Sequence, residues 1–405
     1  MINNENPGPF LSRTREFVLA AVGGVMVANA YYIHPIISDV AKEFGVNAAT
    51  IGLVPALNQI ALAIGIFLLL PLGDRYSNRR LAIIFAIGQT AALLMMVFSN
   101  KFVPFLVGST ILGFFTIAPY LLPAYASKRV SADRLGSVTA TLTAGTIFGI
   151  LLARVGAGLL ARYADWHLVY VIAAGLMVVT SAMLPMIMEG RRKPPEEEAQ
   201  PYFQLVGSLF ALLRQYPRVL VSGIIQACNF GIFLSVWLGL ALHLTSPQMG
   251  HGVDTVGYLA AFAIVAMFVT PRLGAWADQV SAERARYLTS IVQLGGVALL
   301  YPFGDSLILL LIPVIIMNTV GPGIDVAGRM TTLAHQPDIR TRLLTGYIVI
   351  MFTGAGIASW AGTAAYQYAG WAGSSALALV LSLIIVCLSW TQTRRPQDVL
   401  QSKPS

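Results

Sequence analysis

Residues 49–98 read ATIGLVPALNQIALAIGIFLLLPLGDRYSNRRLAIIFAIGQTAALLMMVF, which is two apolar stretches on either side of a short polar segment. The two stretches, 49–73 and 81–98, are each long enough to cross a hydrocarbon core of about 30 Å as a helix. The segment between them is basic, as is typical of a loop at a membrane surface. This pattern predicts an all-α membrane protein with several spans.

The rest of the chain repeats this arrangement. Hydrophobic residues make up 56% of the 405 residues, charged residues make up 11%, and the mean hydropathy is +0.72. Because a soluble protein carries roughly a quarter charged residues, the lipid bilayer is expected to be the main solvent. Twelve spans are predicted, at 17–37, 49–73, 81–98, 103–127, 137–160, 168–188, 218–243, 255–276, 287–303, 307–328, 343–368 and 371–391.

A long polar connection separates the sixth span from the seventh and divides the chain into two similar halves. Residues before it match residues after it at a nearly constant offset, in the pairs Asn29 and Asn229, Asp74 and Asp278, Gly149 and Gly354, and Trp166 and Trp371. A duplicated six-helix unit explains this match. The predicted divisions are a first six-helix half, a cytoplasmic linker and a second six-helix half, at 1–188, 189–217 and 218–405.

Small residues at every fourth position mark the fifth and eleventh spans. They are Gly145, Gly149, Ala153 and Ala157 in the fifth span, and Gly354, Ala358 and Gly362 in the eleventh. Such stripes let helices pack backbone to backbone. This packing suits a moving interface between the halves, and tight packing without motion is the alternative.

The positions of the basic residues predict the orientation of the chain. Lys and Arg are concentrated in the N-terminal tail, the even-numbered loops and the C-terminal tail, whereas the odd-numbered loops hold Lys42, Lys101 and Arg162. By the positive-inside rule both termini are expected in the cytoplasm. The residues before Phe17 are polar, so the first span is expected to be retained and not cleaved as a signal peptide.

Several classes of function are not expected. The basic residues lie in short loops between spans, which argues against nucleic-acid binding. Cys228 and Cys387 both lie in apolar spans, so neither a disulfide nor a cysteine metal cluster is expected. The sequence has no phosphate-binding glycine loop, nucleophile elbow or histidine-pair metal motif, so an enzyme is not expected, nor is a cofactor.

The loop from Leu72 to Arg80 resembles the signature of the major facilitator superfamily, and a degenerate copy follows from Gly274 to Asp278. Ser77 replaces the glycine that the family usually has. Within the superfamily, residues 29–35 and 149–154 are similar to bacterial sugar-efflux or drug-efflux permeases. The resemblance covers the full length and implies a bacterial inner-membrane protein that alternates between outward-open and inward-open states.

The resembling loops also have a physical interpretation as a latch. Asp74 ends the second span where the start of the eleventh span, near Arg342, is expected, and the helix dipole and arginines there favour a carboxylate. By the repeat, Asp278 is expected to face Arg134. Both contacts would form when the cytoplasmic side is closed. Anchoring of the loops by basic residues alone is the alternative. The candidate gating residues are Asp74, Arg75, Arg79, Asp278, Arg134 and Arg342.

Polar side chains inside apolar spans cost free energy, so they indicate a packed partner or a water-filled pathway. They cluster at middle depth in their spans, and the seventh span mixes amides with aromatic rings along one stripe. We expect them to line a central cavity between the halves. A helix-to-helix hydrogen bond is the alternative for Asn58 and Asn318, and core packing is the alternative for the stripe. The candidate substrate-binding residues are Asn29, Tyr31, Tyr32, His34, Asn58, Gln59, Gln226, Asn229, Phe233, Trp237 and Asn318.

Two residues are candidates for carrying a coupling proton. One is His34, because histidine as a residue type titrates near physiological pH, and a merely hydrogen-bonded histidine is the alternative. Asp325 lies deep in the tenth span with Arg329 one turn later, and a structural ion pair is the alternative there. Arg154, in the outer part of the fifth span, either extends toward the outer surface or binds an anionic substrate group.

The leading hypothesis is a secondary transporter, expected as a monomer, that exports a small organic solute in exchange for protons. Uptake by symport or by facilitated diffusion is the alternative, because the sequence does not fix a direction. A receptor or scaffold that does not transport is a more remote alternative, for which a large extramembrane domain would be expected.

Overall fold

The computed structural model describes residues 11–74, 76–127, 129–189, 202–334 and 337–394. Residues 190–201 of the predicted linker lie outside the described residues. Arg75 also lies outside them, as does the side chain of Asp74.

Secondary structure in this part of the chain is entirely helical. The helices are span 1 (Arg13–Ala28 and Ile33–Glu43), span 2 (Ala48–Ile51, Leu53–Leu69 and the 3-10 helix Leu70–Asp74), span 3 (Asn78–Val97), span 4 (Phe102–Phe115 and Ala118–Ser127), span 5 (Ala132–Tyr163), span 6 (Trp166–Ile187), a connecting helix (Tyr202–Gln215), span 7 (Pro217–Leu244), span 8 (Val253–Ala261, the 3-10 turn Phe262–Ile264 and Val265–Val280), span 9 (Ala282–Ala298), span 10 (Leu307–Leu333), and the joined spans 11 and 12 (Pro337–Arg394).

The number of crossings agrees with the prediction. Nine helical segments in the described ranges are long and apolar enough to cross a membrane, and the bent span 8 makes ten. The other two crossings are span 9, with 17 residues, and the second span within the 58 residues of Pro337–Arg394. The prediction of an all-α fold with twelve spans is confirmed.

The segment Pro337–Arg394 reverses direction at Gly370. That residue has φ of 58° and ψ of −144°, a conformation that glycine adopts without a Cβ clash. Beyond the turn, Ser374 Oγ donates to the carbonyl of Gly362 at 3.1 Å. These two residues would be about 18 Å apart in one continuous helix, so spans 11 (337–368) and 12 (371–394) are antiparallel neighbours.

Two features differ from the sequence-based expectation. The predicted linker contains the helix Tyr202–Gln215, whose Leu212 packs with Val219 and Leu343. Arg286, which the predicted spans leave in a loop, lies inside span 9, where it is fully buried and donates to Ser222 Oγ at 2.8 Å. The apolar face of the helix in the linker and the earlier start of span 9 both depend on tertiary packing.

The small-residue stripes join helices within each half. A Cβ at Gly149 would lie 2.3 Å from the carbonyl oxygen of Gly24, so spans 1 and 5 are in backbone contact. A Cβ at Gly354 would lie 2.5 Å from the Cβ of Ala227, so spans 7 and 11 meet in the same way. Both glycines therefore join helices within one half, which fits tight packing, whereas Ala153 of the first stripe lies in a cluster with Leu234 and Ala355 of the second half.

The two halves meet at one face of the membrane. We call the face that carries Arg13 and Arg394 the terminal side, and the opposite face the far side. On the far side the backbone N–H of Ala48 donates to Gln367 Oε1 at 3.0 Å. On the same side, between spans 5 and 8, Arg162 Nε lies 3.8 Å from Asp254 Oδ1. These contacts close the far side between the halves.

The packing of Gly149 predicts that Gly149→Ala destabilises the protein by about 1–3 kcal/mol, because a methyl group would overlap the Gly24 carbonyl. Gly156→Ala in the same span is the matched control, since a Cβ there has open space. That change should be neutral or slightly stabilising. Thermal unfolding in detergent measures both, and equal melting temperatures for the two variants would contradict the packing.

Candidate functional site

Span 1 is interrupted at middle depth because of Pro35. Proline has no backbone N–H, so it cannot give the Tyr31 carbonyl its usual helical hydrogen bond. His34 donates its backbone N–H to that carbonyl instead, at 3.2 Å, which makes a tighter turn. The turn brings the rings of Tyr31 and His34 edge to face, with their centres 5.2 Å apart.

Arg154 of span 5 reaches the same turn. Its Nη2 lies 2.9 Å from Nδ1 of His34, and the side chains are 2% and 0% exposed. A guanidinium carries donors and no acceptor, so His34 Nδ1 must accept this hydrogen bond. Its lone pair is therefore free of a proton, and His34 is neutral while the contact exists.

Aromatic rings from both halves enclose the guanidinium. Arg154 Cζ lies 4.4 Å from the ring centre of Phe233, 4.8 Å from that of Trp237 and 5.5 Å from that of Tyr31. These distances give cation–π attraction. We call Arg154, His34, Tyr31, Phe233 and Trp237 the arginine cage. Because Phe233 and Trp237 belong to span 7, the cage lies on the boundary between the halves.

Hydrogen-bonding groups in the cage remain unused. Arg154 Nε and His34 Nε2 are buried and have no hydrogen-bond partner. Within the described ranges, no carboxylate lies at ion-pair distance from Arg154. A buried charge is normally paired, so the cage offers unmatched donors to a small polar ligand.

The sequence-based list of binding residues omits Arg154. Of its two interpretations, extension toward the outer surface is wrong, because the side chain is buried against span 7. A signal was present in the sequence, since a single charge inside an apolar span is rare and commonly functional. The direction in which it points depends on the second half, which local sequence does not reveal.

Buried amides at repeat-related positions form a matching pair in each half. Asn29 Nδ2 donates to Gln89 Oε1 at 2.8 Å. In the second half, Gln293 Nε2 donates to Asn229 Oδ1 at 2.8 Å, and Asn229 Nδ2 donates to Gln226 Oε1 at 3.0 Å. The asparagines were predicted from the sequence, whereas Gln89 and Gln293 were not. The repeat could have revealed them, because they follow the two asparagines at similar distances along the chain.

These amides also bind helix carbonyls. Gln89 Nε2 donates to the carbonyl of Phe115 at 3.1 Å, which the imide nitrogen of Pro119 cannot serve. Asn229 Nδ2 donates to the carbonyl of Gly321 at 3.0 Å. One network therefore joins spans 1, 3 and 4, and the other joins spans 7, 9 and 10. Both stabilise a half and leave the cage separate.

The remaining amides have different surroundings. Asn58 Nδ2 donates to the carbonyl of Ser109 at 2.8 Å, which is a contact between spans 2 and 4. Asn318 donates to the carbonyl of Val314 in its own helix at 2.7 Å. Both amide atoms of Gln59 are buried without a hydrogen-bond partner. Asn58 Oδ1 also lacks a hydrogen-bond partner, so among these three Gln59 is the residue with both polar atoms free.

Tyr32 and Gln59 lie near the boundary between the halves. Tyr32 packs beside a cluster that contains Ala153 of span 5 and Leu234 of span 7. Gln59 lies next to Gly356 of span 11, whose added Cβ would be 3.4 Å from the Gln59 Cβ.

Asp325 is held inside the second half. Its Oδ2 accepts from Arg329 Nε at 2.9 Å, and its Oδ1 accepts from Tyr347 Oη at 2.9 Å. Tyr120 of the first half interacts electrostatically with this group, and its ring centre lies 6.1 Å from that of Phe352. Both carboxylate oxygens thus have partners, as the ion-pair alternative requires.

Two of the gating candidates, Arg134 and Asp278, do not contact each other on the terminal side. Arg134 Nη2 pairs with Glu16 Oε2 at 3.0 Å within the first half. Asp278 is exposed, and in this structure it does not contact Arg134. Arg79 Nη2 donates to the carbonyl of Pro185 at 2.9 Å. Arg342 is partly buried at the start of span 11.

The twelve-span fold and the amide networks repeated in both halves agree with one family of membrane proteins. The family model described as Major Facilitator Superfamily matches residues 19–336. The chain belongs to the major facilitator superfamily. It is a multi-pass membrane protein and a transporter of the secondary type, and not an enzyme.

Similar proteins agree with this membership. The uncharacterized transporter YgaY of Escherichia coli O157:H7 is 25% identical over 391 residues, which cover 96% of this chain and 98% of that protein. A bicyclomycin resistance protein homolog of Haemophilus influenzae is 23% identical over 264 residues, with 64% and 65% covered. The solved nucleoside transporter NupG has the same fold, with a TM-score of 0.74, 14% identity, and 94% and 99% of the chains covered.

The amide network of the second half predicts energetic coupling between Asn229 and Gln293. In a double-mutant cycle with alanine at both positions, we expect a coupling of about 0.6–1.7 kcal/mol, the range found for hydrogen bonds between membrane helices. A cycle of Gln293 with Asn318 is the control, since Asn318 bonds its own helix. Unfolding in mixed micelles measures both, and equal couplings would contradict the network.

Proposed function

We propose that this transporter moves a small organic solute through the arginine cage and couples the movement to protons. The observation that carries this proposal is the 2.9 Å contact between Arg154 Nη2 and His34 Nδ1, buried where the two halves meet. A solute site at the repeat boundary near middle depth is common among transporters with internal repeats. Protonation of a histidine that directly contacts a fixed cation adds a second positive charge, so this contact is sensitive to a proton.

The proton step follows from the donors and acceptors of this contact. A proton on His34 Nδ1 would remove the acceptor and place two cations side by side in a buried site. A protonated His34 would then lose its contact with Arg154 and place a second positive charge at the boundary between the halves. We propose that His34 carries the coupling proton. Asp325 is the second candidate, and its two filled oxygens make it less available.

For the solute, we propose that the direct contacts come from the five residues of the arginine cage. Gln59 and Tyr32 lie close to the same boundary and complete the candidate surface. Asn29, Gln226 and Asn229, with Asn58, act in this proposal as the polar contacts that hold the helices together, and Asn318 bonds its own helix.

Two directions of coupling are candidates. Export in exchange for protons is the sequence-based hypothesis, and the name of the Haemophilus influenzae relative supports it. Symport is supported by the contact itself. A protonated His34 and Arg154 repel each other in the closed cage, and a solute that places acceptors between them reduces this repulsion. Proton and solute then favour each other's binding, whereas an antiporter needs them to exclude each other. We adopt symport as the coupling that the geometry favours.

The orientation of the chain is part of the proposal. The basic loops place the terminal side, with both termini, in the cytoplasm of a bacterial inner membrane. The far side then faces outward, and a structure closed there and separated at Asp278 and Arg134 corresponds to an inward-facing state. A monomer is sufficient, because the cage is built from a single chain.

The latch is proposed for the opposite state, in which Asp74 and Asp278 close the terminal side against Arg342 and Arg134. Asp278→Asn and Asp74→Asn should then favour separation of the terminal ends. Loss of a charge-assisted contact worth about 1.5–3 kcal/mol changes the population ratio of the two states tenfold or more. Spin labels at the terminal ends of spans 2 and 11 measure the distance, with Asp305→Asn on the far side as control. Distributions that do not change in either variant would remove the latch.

His34→Gln tests the proton step. Glutamine keeps a side-chain acceptor for Arg154 but does not titrate, so transport should continue while its response to a pH gradient is lost. His243→Gln is the matched control, because His243 is a second buried histidine of the chain, bonded to the carbonyl of Gly304 at 3.1 Å. It should keep the response.

The measurement uses membrane vesicles with and without the transporter, a defined mixture of small organic acids, amines and sugars, and mass spectrometry of the contents. Symport predicts that a solute accumulates on the side toward which protons flow. Antiport predicts depletion there. Solute transport that is the same in both directions of the pH gradient would contradict proton coupling. A normal response of His34→Gln to the pH gradient would show that His34 does not carry the proton.

A further inference from the structure

We infer that the arginine cage selects an organic monoanion, a carboxylate attached to a planar apolar group. This rests on the proposed function in one respect, that the solute binds in the cage. The inference adds the charge and the shape of the solute. Both follow from what surrounds Arg154.

The charge argument starts from burial. Arg154 is 2% exposed, and a guanidinium does not lose its proton in a protein. Removing an isolated charge from water is costly unless an opposite charge or hydrogen bonds replace the water. Among the described residues, His34 supplies one acceptor and no carboxylate reaches the guanidinium. An anionic ligand is the missing partner.

The free donor indicates how the anion would bind. Arg154 Nε is buried without a partner, whereas Nη2 is used by His34. A carboxylate can accept from Nε and share the Nη2 edge, which is the bidentate geometry that guanidinium favours. One guanidinium without a lysine beside it matches a single negative charge better than a phosphate dianion.

The rings around the guanidinium indicate the shape. Phe233 and Trp237 come from span 7, and Phe233 stacks on Phe230 with ring centres 5.5 Å apart and an interplanar angle of 15°. Phe230 in turn meets Phe352 edge to face at 5.6 Å. A planar group attached to the carboxylate can insert along this row of rings, which stacks well with flat ligands.

Arg286 shows that burial of an arginine is not sufficient for this inference. Arg286 is also fully buried, and its Nε and Nη2 likewise have no hydrogen-bond partner, but it bonds Ser222 and interacts electrostatically with Glu283, all within the second half. Arg154 differs because its surroundings come from both halves and include no acid. The cage opens when the halves separate, and Arg154 is then available to a solute.

The test uses purified full-length protein in detergent and four probes: benzoate, neutral benzamide, cationic benzamidine, and acetate, which is an anion without a ring. A ligand that binds the folded state raises the melting temperature. We expect benzoate to stabilise most, with an affinity about tenfold or more above that of benzamide. Acetate should be weaker than benzoate, and benzamidine should not stabilise.

Variants locate the binding. Arg154→Lys keeps the charge but loses the planar fork, so the benzoate preference over benzamide should fall at least several-fold, and Arg154→Gln should abolish it. Phe233→Leu should reduce the preference for benzoate over acetate. Arg286→Gln is the control and should keep wild-type selectivity. If Arg154→Gln does not fold, the four-probe comparison on the wild type and Phe233→Leu still decides.

Equal stabilisation by benzoate and benzamide would overturn the anion inference, and equal stabilisation by benzoate and acetate would overturn the planar group. An unchanged preference in Arg154→Lys and Arg154→Gln would also overturn it. None of these results affects proton coupling, which the vesicle measurement decides. Conversely, selective benzoate binding together with transport that ignores the pH gradient would uphold the inference and contradict the proposed function.

Discussion

The guanidinium of Arg154 lies in an apolar interior with one acceptor, the imidazole of His34, and three aromatic rings around it. A charge at this depth is costly, and cation–π contacts and one hydrogen bond offset only part of that cost. Because two of the rings belong to the second half, the guanidinium is removed from water when the halves are together on the far side. The incompletely paired charge therefore opposes closure and makes closure sensitive to a proton or an anion.

The two halves are built to move as units around this point. Each half has its own amide network, from Asn29 to Gln89 and from Asn229 to Gln293, and its own glycine contacts between backbones. These contacts are buried and do not cross the boundary. Across the boundary, span 2 packs along span 11 and span 5 packs along span 8, with polar contacts at the far side and the aromatic rings of the arginine cage deeper in. Such a division concentrates conformational change at the interface between the halves.

The fold could be predicted from the sequence, because the length and hydropathy of a stretch determine whether it crosses a bilayer as a helix. The sequence also revealed the repeat through Asn29 and Asn229, but not their partners, since hydrogen bonds between distant spans depend on helix rotation. Arg154 shows the limit most clearly. Because Arg154 lies in the outer part of span 5, its side chain could be expected to extend toward the outer surface. Span 7 packs against this position, so the side chain is buried instead. Pro35 could be recognised in the sequence as a proline that interrupts a helix. The position of this break in the fold, where it orients His34, could not be predicted.

The most direct test of the link between Arg154 and His34 is proton uptake or release on ligand binding. Purified protein in a weakly buffered solution with a pH indicator is mixed with benzoate near neutral pH. If the anion and the proton bind together, benzoate binding draws protons from the solution, and His34→Gln abolishes this uptake. Proton release on benzoate binding, or uptake of the same size in His34→Gln, would contradict the coupling of the two residues.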